Sequence, residues 1–215
     1  MTTALQQLRS LRIVPVIVIE DASHAERLAD ALVDGGLPCA EVTFRTAAAA
    51  EAIHRMRAHR PEMLVGAGTV LTVKQAAAAR SAGAQFMVSP GLNPAVVGDC
   101  RTHDIEIFPG VCTPTEIEMA LSEGISTVKF FPAEPMGGLK FLKAISAPYG
   151  MVDFIPTGGI STANIAEYLA FKKVIACGGS WMAPADWIAA GEFDRIREET
   201  ARAVASIGNP MGAAR

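Results

Sequence analysis

The chain has 215 residues, half of them hydrophobic and 19% charged, with a formal net charge of −3. A chain of this length buries roughly 70% of the surface it exposes when unfolded, so it needs no disulfide or metal staple. The composition excludes a disordered or collagen-like chain, and the lack of a basic excess argues against nucleic acid as a partner.

A short helix is expected before the first strand. The densest apolar run, Ile13 to Ile19, contains Pro15 and stops at Glu20-Asp21. A membrane-spanning helix needs about 18 or more apolar residues, so none is expected. Arg9 and Arg12 precede the run, but Glu20, Asp21 and Glu26 follow it with no convincing cleavage site. A signal peptide is therefore not expected, and the cytoplasm is the expected location. Cys39, Cys100, Cys112 and Cys177 form no Cys-x-x-Cys pair, and His24, His54, His59 and His103 form no His-Glu-x-x-His pattern. Neither a disulfide framework nor a metal site is expected.

From there, short Val-, Ile- and Phe-rich runs alternate with Ala-rich helical stretches. Strands are predicted at Ile13–Ile19, Ala40–Phe44, Met63–Ala67, Gln85–Val88, Ile105–Phe108, Thr127–Phe131, Asp153–Pro156 and Val174–Cys177. The helices between them are predicted at Ala22–Asp34, Ala47–His59, Val73–Ala82, Pro94–Thr102, Pro114–Glu123, Leu139–Ile145 and Thr162–Leu169, with a last one over Glu192–Ser206 and a frayed tail from Gly208 to Arg215. Strands joined through helices must be parallel. An even series of about eight such units fits an α/β fold, a (β/α)8 TIM barrel in a single domain over residues 1–215. A doubly wound open sheet is the alternative.

Both faces of a barrel strand are apolar, so a charge on one demands a reason. In Ala40-Glu41-Val42-Thr43-Phe44-Arg45, alternation turns Glu41, Thr43 and Arg45 inward, opposite Val42 and Phe44. Buried ion pairs are poor stabilisers, which favours a functional use for these charges. Lys129 stands inside an apolar strand, whereas Lys74, Lys140, Lys143, Lys172 and Lys173 fall on helices or element ends. Enclosure strips an ammonium of hydration and favours the neutral amine, which attacks ketones and forms a Schiff base. Phe131 shares the face of Lys129 and could wall the pocket. Pro156-Thr157-Gly158-Gly159-Ile160 and Gly178-Gly179-Ser180 follow the last two strands, where glycine backbones commonly cradle a phosphate. Gly66-Ala67-Gly68-Thr69 is a tight strand end that could bring Thr69 into the pocket. Trp181 and Trp187 are expected to pack the last helix.

These stretches, with Ser89-Pro90-Gly91, Lys129-Phe130-Phe131-Pro132-Ala133-Glu134 and Gly178-Gly179-Ser180-Trp181, resemble the 2-keto-3-deoxy-6-phosphogluconate (KDPG) aldolase family, the class I aldolases of the Entner–Doudoroff pathway. The resemblance runs from about Leu11 to Ala203, and Val111-Cys112-Thr113 stands where members more usually have Ile-Ser-Thr. It implies a homotrimer of (β/α)8 barrels and a lyase that uses no cofactor beyond a covalent lysine imine. It also implies cleavage of the phosphorylated 2-keto-3-deoxy acid to pyruvate and glyceraldehyde 3-phosphate; many members also cleave 4-hydroxy-2-oxoglutarate. Lys129 matches the Schiff-base lysine, Glu41 the general acid/base and Arg45 the carboxylate-binding arginine. Thr69, Pro90, Phe131 and Thr157 match the pyruvate pocket. Gly158, Gly159, Gly178, Gly179 and Ser180 fall at the phosphate end. Preference for the galactonate epimer or for 4-hydroxy-2-oxoglutarate is a close alternative. A phosphosugar epimerase or isomerase would share the phosphate loops but has no need of an enclosed lysine. A non-catalytic anion-binding barrel would leave Glu41, Arg45 and Lys129 without a use.

Overall fold

The computed structural model describes residues 3–208. Short strands and helices alternate along it. Helix α1 (Ala4–Leu11) precedes β1 (Ile13–Ile17), and a 3-10 turn at Ala22–His24 leads into α2 (Ala25–Asp34). There follow β2 (Cys39–Thr43), α3 (Ala49–His59), β3 (Leu64–Gly68), α4 (Val73–Ser81), β4 (Phe86–Val88) and α5 (Pro94–Thr102). Next come β5 (Glu106–Phe108), β6 (Gly110–Val111), α6 (Pro114–Ser122), β7 (Thr127–Phe130), α7 (Gly138–Ser146), β8 (Asp153–Pro156) and α8 (Ile165–Ala170). The chain continues through β9 (Cys177–Gly179), α9 (Ala185–Ala189) and α10 (Phe193–Ser206). Most of the predicted tail lies outside the described residues.

The fold is α/β, and every strand pair is parallel. The strands form a six-stranded sheet ordered β5-β4-β3-β2-β1-β9 and a three-stranded sheet ordered β6-β7-β8. This differs from the even series of eight strands in two places. The fifth predicted strand extends to Val111 but is split at Pro109, which has no N–H to give a ladder. Its first part pairs with β4 and its second with β7. The last predicted strand begins later, because Val174 makes only an isolated bridge to Phe154 and the ladder to β1 starts at Cys177. The glycines expected to follow that strand form its end. The five-residue α9 was not anticipated.

Several helices start abruptly on side-chain caps, which fixes where the loops at the strand ends turn. Thr72 and Gln75 make a capping box at α4, Thr113 and Glu116 one at α6, and Asn93 caps α5 ahead of Pro94. Each satisfies backbone N–H groups that would otherwise lack partners. At the other end of the strands α1 closes the core. Leu8 is buried, the Leu5 N–H donates to Glu106 at the start of β5 (3.0 Å), and Arg9 pairs with Asp153 at the start of β8 (2.7 Å). The pole carrying the C-terminal strand ends is left open. Trp187 stacks under the Arg195 guanidinium of α10, 3.8 Å from the ring centre, whereas Trp181 packs on Gly179 instead. Among the described residues no helix is long and apolar enough to cross a membrane.

Candidate active site

Glu41 lies in the middle of β2 and Lys129 in β7, 88 residues apart in sequence. Both side chains point into the space between the two sheets, and Lys129 Nζ donates to Glu41 Oε1 across 3.3 Å. Their side chains are only 7% and 4% exposed. With Thr157 they bring polar atoms to a small internal cavity otherwise lined by apolar side chains such as Val14, Val88 and Ile155. The enclosure expected for Lys129 and the inward aim of Glu41 are therefore present. Thr43, on the same face of β2 and also buried, donates to the Ile17 carbonyl at 2.8 Å and ties β2 to β1 beside the pair.

Room for the Glu41 carboxylate comes from β3. Gly66 and Gly68 pair with Glu41 and Thr43 in register. A Cβ on Gly68 would fall on the Glu41 side chain, and one on Gly66 would fall on the Phe86 ring. Periodicity along β2 placed Thr43 on the face of Glu41, but Gly68 becomes legible only once the register is known. Gly68→Ala is expected to push Glu41 off Lys129 and lower kcat about 100-fold, the scale of a misplaced catalytic group. The check is kcat against a thermal melt showing a folded variant.

The remaining candidates ring the mouth at the C-terminal strand ends. Phe131 follows β7, and its ring centre is 5.2 Å from Lys129 Nζ. Thr69 follows β3 with φ +55°, a left-handed conformation that a β-branched residue adopts only when its surroundings impose it. Pro90 follows β4, next to Ser89, whose hydroxyl donates to the Gly91 carbonyl at 2.7 Å. Thr157 and Gly178 form a parallel bridge, which sets the two glycine loops side by side. A Cβ on Gly178 would strike the Thr157 hydroxyl. Gly158 and Gly159 take φ +101° and +83°, and Ser180 is exposed.

Arg45 departs from expectation. Strand β2 ends at Thr43 and Phe44-Arg45 form a turn, so the alternation of the strand no longer applies. Arg45 is exposed, just past the C-terminal end of β2.

Among the described residues no group of three or more His, Cys, Asp or Glu side chains is arranged to hold a metal ion. The cysteines do not supply a thiolate nucleophile. Burial pushes the Cys100 thiol up to about 11 and the Cys177 thiol up to about 12, and raises Cys39 further. Cys112 is raised by burial and by Glu116. All four stay protonated at neutral pH.

Comparison with known proteins bears directly on this arrangement. Residues 5–199 match the family model described as KDPG and KHG aldolase. The chain belongs to that family. The 2-dehydro-3-deoxy-phosphogluconate aldolase of Treponema pallidum is 51% identical over 208 residues, 97% of this chain and 99% of the relative. Among solved structures, KDPG aldolase from Legionella pneumophila, with pyruvate captured as a covalent carbinolamine, superposes with a TM-score of 0.90. It is 37% identical, and the match covers 94% of this chain and 98% of that one. The KDPG aldolase of Zymomonas mobilis with 3-phosphoglycerate gives a TM-score of 0.85 at 38% identity, covering 92% and 95%.

Proposed function

We propose that this chain is a class I aldolase that reversibly cleaves KDPG to pyruvate and glyceraldehyde 3-phosphate through an imine on Lys129. The observation that carries the reading is the buried Lys129–Glu41 pair at 3.3 Å within an otherwise apolar interior. Family membership and the pyruvate carbinolamine held by the Legionella relative support it.

The supporting frame is a closed (β/α)8 barrel in one domain. The two sheets share the segment 106–111 on one side, and the bridges Phe154–Val174 and Thr157–Gly178 span the other. Counting β5 and β6 as one interrupted strand leaves eight. A barrel brings the ends of distant strands to one pole, which is how β2 and β7 come to face each other.

The Lys129 amine adds to the C2 ketone, and Glu41, within hydrogen-bond reach, takes up the amine proton. Glu41 passes that proton to the C2 oxygen, which with a second proton from solvent leaves as water; an iminium remains and Glu41 is again a carboxylate. Glu41 then takes the C4 hydroxyl proton, directly or through a water. The C3–C4 electron pair moves toward the iminium nitrogen, the aldehyde departs, and an enamine of pyruvate remains. Protonation at C3 from Glu41 restores the iminium, and hydrolysis frees pyruvate and the lysine. One carboxyl serves both steps by alternating between acid and base. The iminium is the electron sink, so this sequence calls on no metal or organic cofactor. Arg45 at the mouth suits the substrate carboxylate through its two-pronged guanidinium. Thr69, Pro90, Phe131 and Thr157 would enclose the pyruvyl carbons, and Gly158, Gly159, Gly178, Gly179 and Ser180 would hold the phosphate. The Zymomonas relative, with its 3-phosphoglycerate, supports a phosphate end of this kind. A homotrimer is the assembly the family resemblance implies.

Incubation with pyruvate and borohydride, followed by intact mass and peptide mapping, tests the reading. A single reduced pyruvyl adduct on Lys129 is expected. Folded protein carrying no adduct would overturn the imine and favour proton-transfer chemistry on a phosphosugar.

A further inference from the structure

Glu134 closes the Lys-Phe-Phe-Pro-Ala-Glu stretch, yet the reaction above gives it nothing to do. It is an exposed carboxylate beside the very loop assigned to a phosphate, where its charge would oppose the ligand. The structure gives that carboxylate a partner. The Tyr168 hydroxyl, on α8, donates to Glu134 Oε1, and a carboxylate acceptor makes such a bond charge-assisted. Tyr168 is buried, and burial together with the Glu134 carboxylate holds its phenol above the usual range, so it remains the donor.

Everything around this bond converges on the Gly158-Gly159 loop. The Ala133 N–H donates to the Thr157 carbonyl at 2.8 Å and the Glu134 N–H to the Gly158 carbonyl at 3.0 Å. From the opposite side Asn164 Nδ2 donates to the Gly159 carbonyl at 3.0 Å. Asn164 caps the start of α8, four residues before Tyr168. The Glu134 stem also lies where a Cβ on Gly159 would be, 2.6 Å from Glu134 Cβ and Cγ. A Cβ on Gly138 would meet both members of the bond, Glu134 Oε1 at 3.0 Å and the Tyr168 hydroxyl at 3.4 Å. Two glycines thus make room for one carboxylate.

We infer that Tyr168 and Glu134 form a positioning clasp that sets the Gly158-Gly159 loop for the phosphate end of the substrate. The clasp joins the loop after β7, which follows the reactive lysine, to α8, whose N-cap Asn164 holds the Gly159 carbonyl of the loop after β8. It also holds the Glu134 charge on the phenol. The inference rests on the reading of that loop as the phosphate site.

The test compares kcat and KM for KDPG and for 4-hydroxy-2-oxoglutarate, which has no phosphate. Tyr168→Phe is expected to raise KM for KDPG about tenfold and KM for 4-hydroxy-2-oxoglutarate less than about twofold, the pattern of a lost charge-assisted bond acting at one end of the substrate. Borohydride trapping of pyruvate should stay within about twofold of wild type, because the lysine end is untouched. Glu134→Gln keeps an acceptor for Tyr168 and should hold KM for KDPG within about threefold of wild type. If Tyr168→Phe does not fold, Glu134→Ala removes the acceptor from the exposed side and carries the same expectation. Equal changes for both substrates, or none, overturn the clasp. Ser180→Ala separates the two levels of the argument. If it too affects both substrates equally, the phosphate site itself is refuted and the clasp falls with it. If it acts selectively on KDPG while Tyr168→Phe does not, only the clasp is refuted.

Discussion

Lys129→Ala removes the pyruvyl adduct and lowers kcat by about 10⁴-fold or more, the scale on which loss of a covalent nucleophile acts. The borohydride assay and a steady-state cleavage assay read the two effects separately; retention of either would refute the imine on this residue. Stability is expected to fall as well. Truncating one member of a buried ion pair strands the other, typically at a cost of about 3–5 kcal/mol. Here the stranded group is Glu41, whose side chain is 4% exposed. The sharper comparison is the pair replacement, Lys129→Met with Glu41→Gln. It leaves no buried charge and should recover much of the stability lost by Lys129→Ala while remaining inactive. At 3.3 Å the bond is longer than the 2.7–2.9 Å of a strong charged contact, and it is the only hydrogen bond Lys129 Nζ makes among the described residues. So weak a contact repays little of the desolvation of two ions, which means that chemistry, not stability, accounts for these charges in the core.

Strand periodicity made these buried charges legible in the sequence. A lysine among Thr, Val and Phe in a run of strand length is anomalous whatever the register, so Lys129 was legible at once. Glu41 was legible for the same reason. Arg45 lies past the point where pairing stops, so alternation does not fix its direction. The ladder with β3 ends at Thr43, and the turn that follows frees the side chain to the surface. Glycine misled in the opposite direction. Gly178 and Gly179 look like loop residues, yet they pair with Val14 and Pro15 because the Trp181 ring and the Thr157 hydroxyl occupy the space their side chains would take. Pro109 was visible in the sequence, but which strand lost its partner there depended on three-dimensional order. The left-handed turn at Thr69 and the approach of Glu41 to Gly68 are contacts between strands. No local pattern reports them.

Glu41→Gln separates binding chemistry from proton transfer. Gln is nearly isosteric with Glu, so it fits the space left by Gly68 and still offers an oxygen to Lys129 Nζ. What it loses is the ability to carry a proton. Imine formation should survive, with borohydride trapping of pyruvate within about tenfold of wild type, while cleavage falls about 10²- to 10⁴-fold, the usual contribution of a positioned acid/base. Exchange of the pyruvate methyl protons with deuterated water provides the decisive reading. That exchange needs only the enamine and a group to move a proton at C3, with no aldehyde and no phosphate. If Glu41 performs both proton transfers, exchange and cleavage decline together. If exchange stays at the wild-type rate while cleavage alone declines, Glu41 acts only at the C4 hydroxyl and another group, such as a water held at Thr157, protonates the enamine. Normal rates for both would remove Glu41 from the reaction. The buried pair would then have neither a stabilising nor a catalytic reason to exist, and the whole reading of the interior would have to be rebuilt from Lys129 alone.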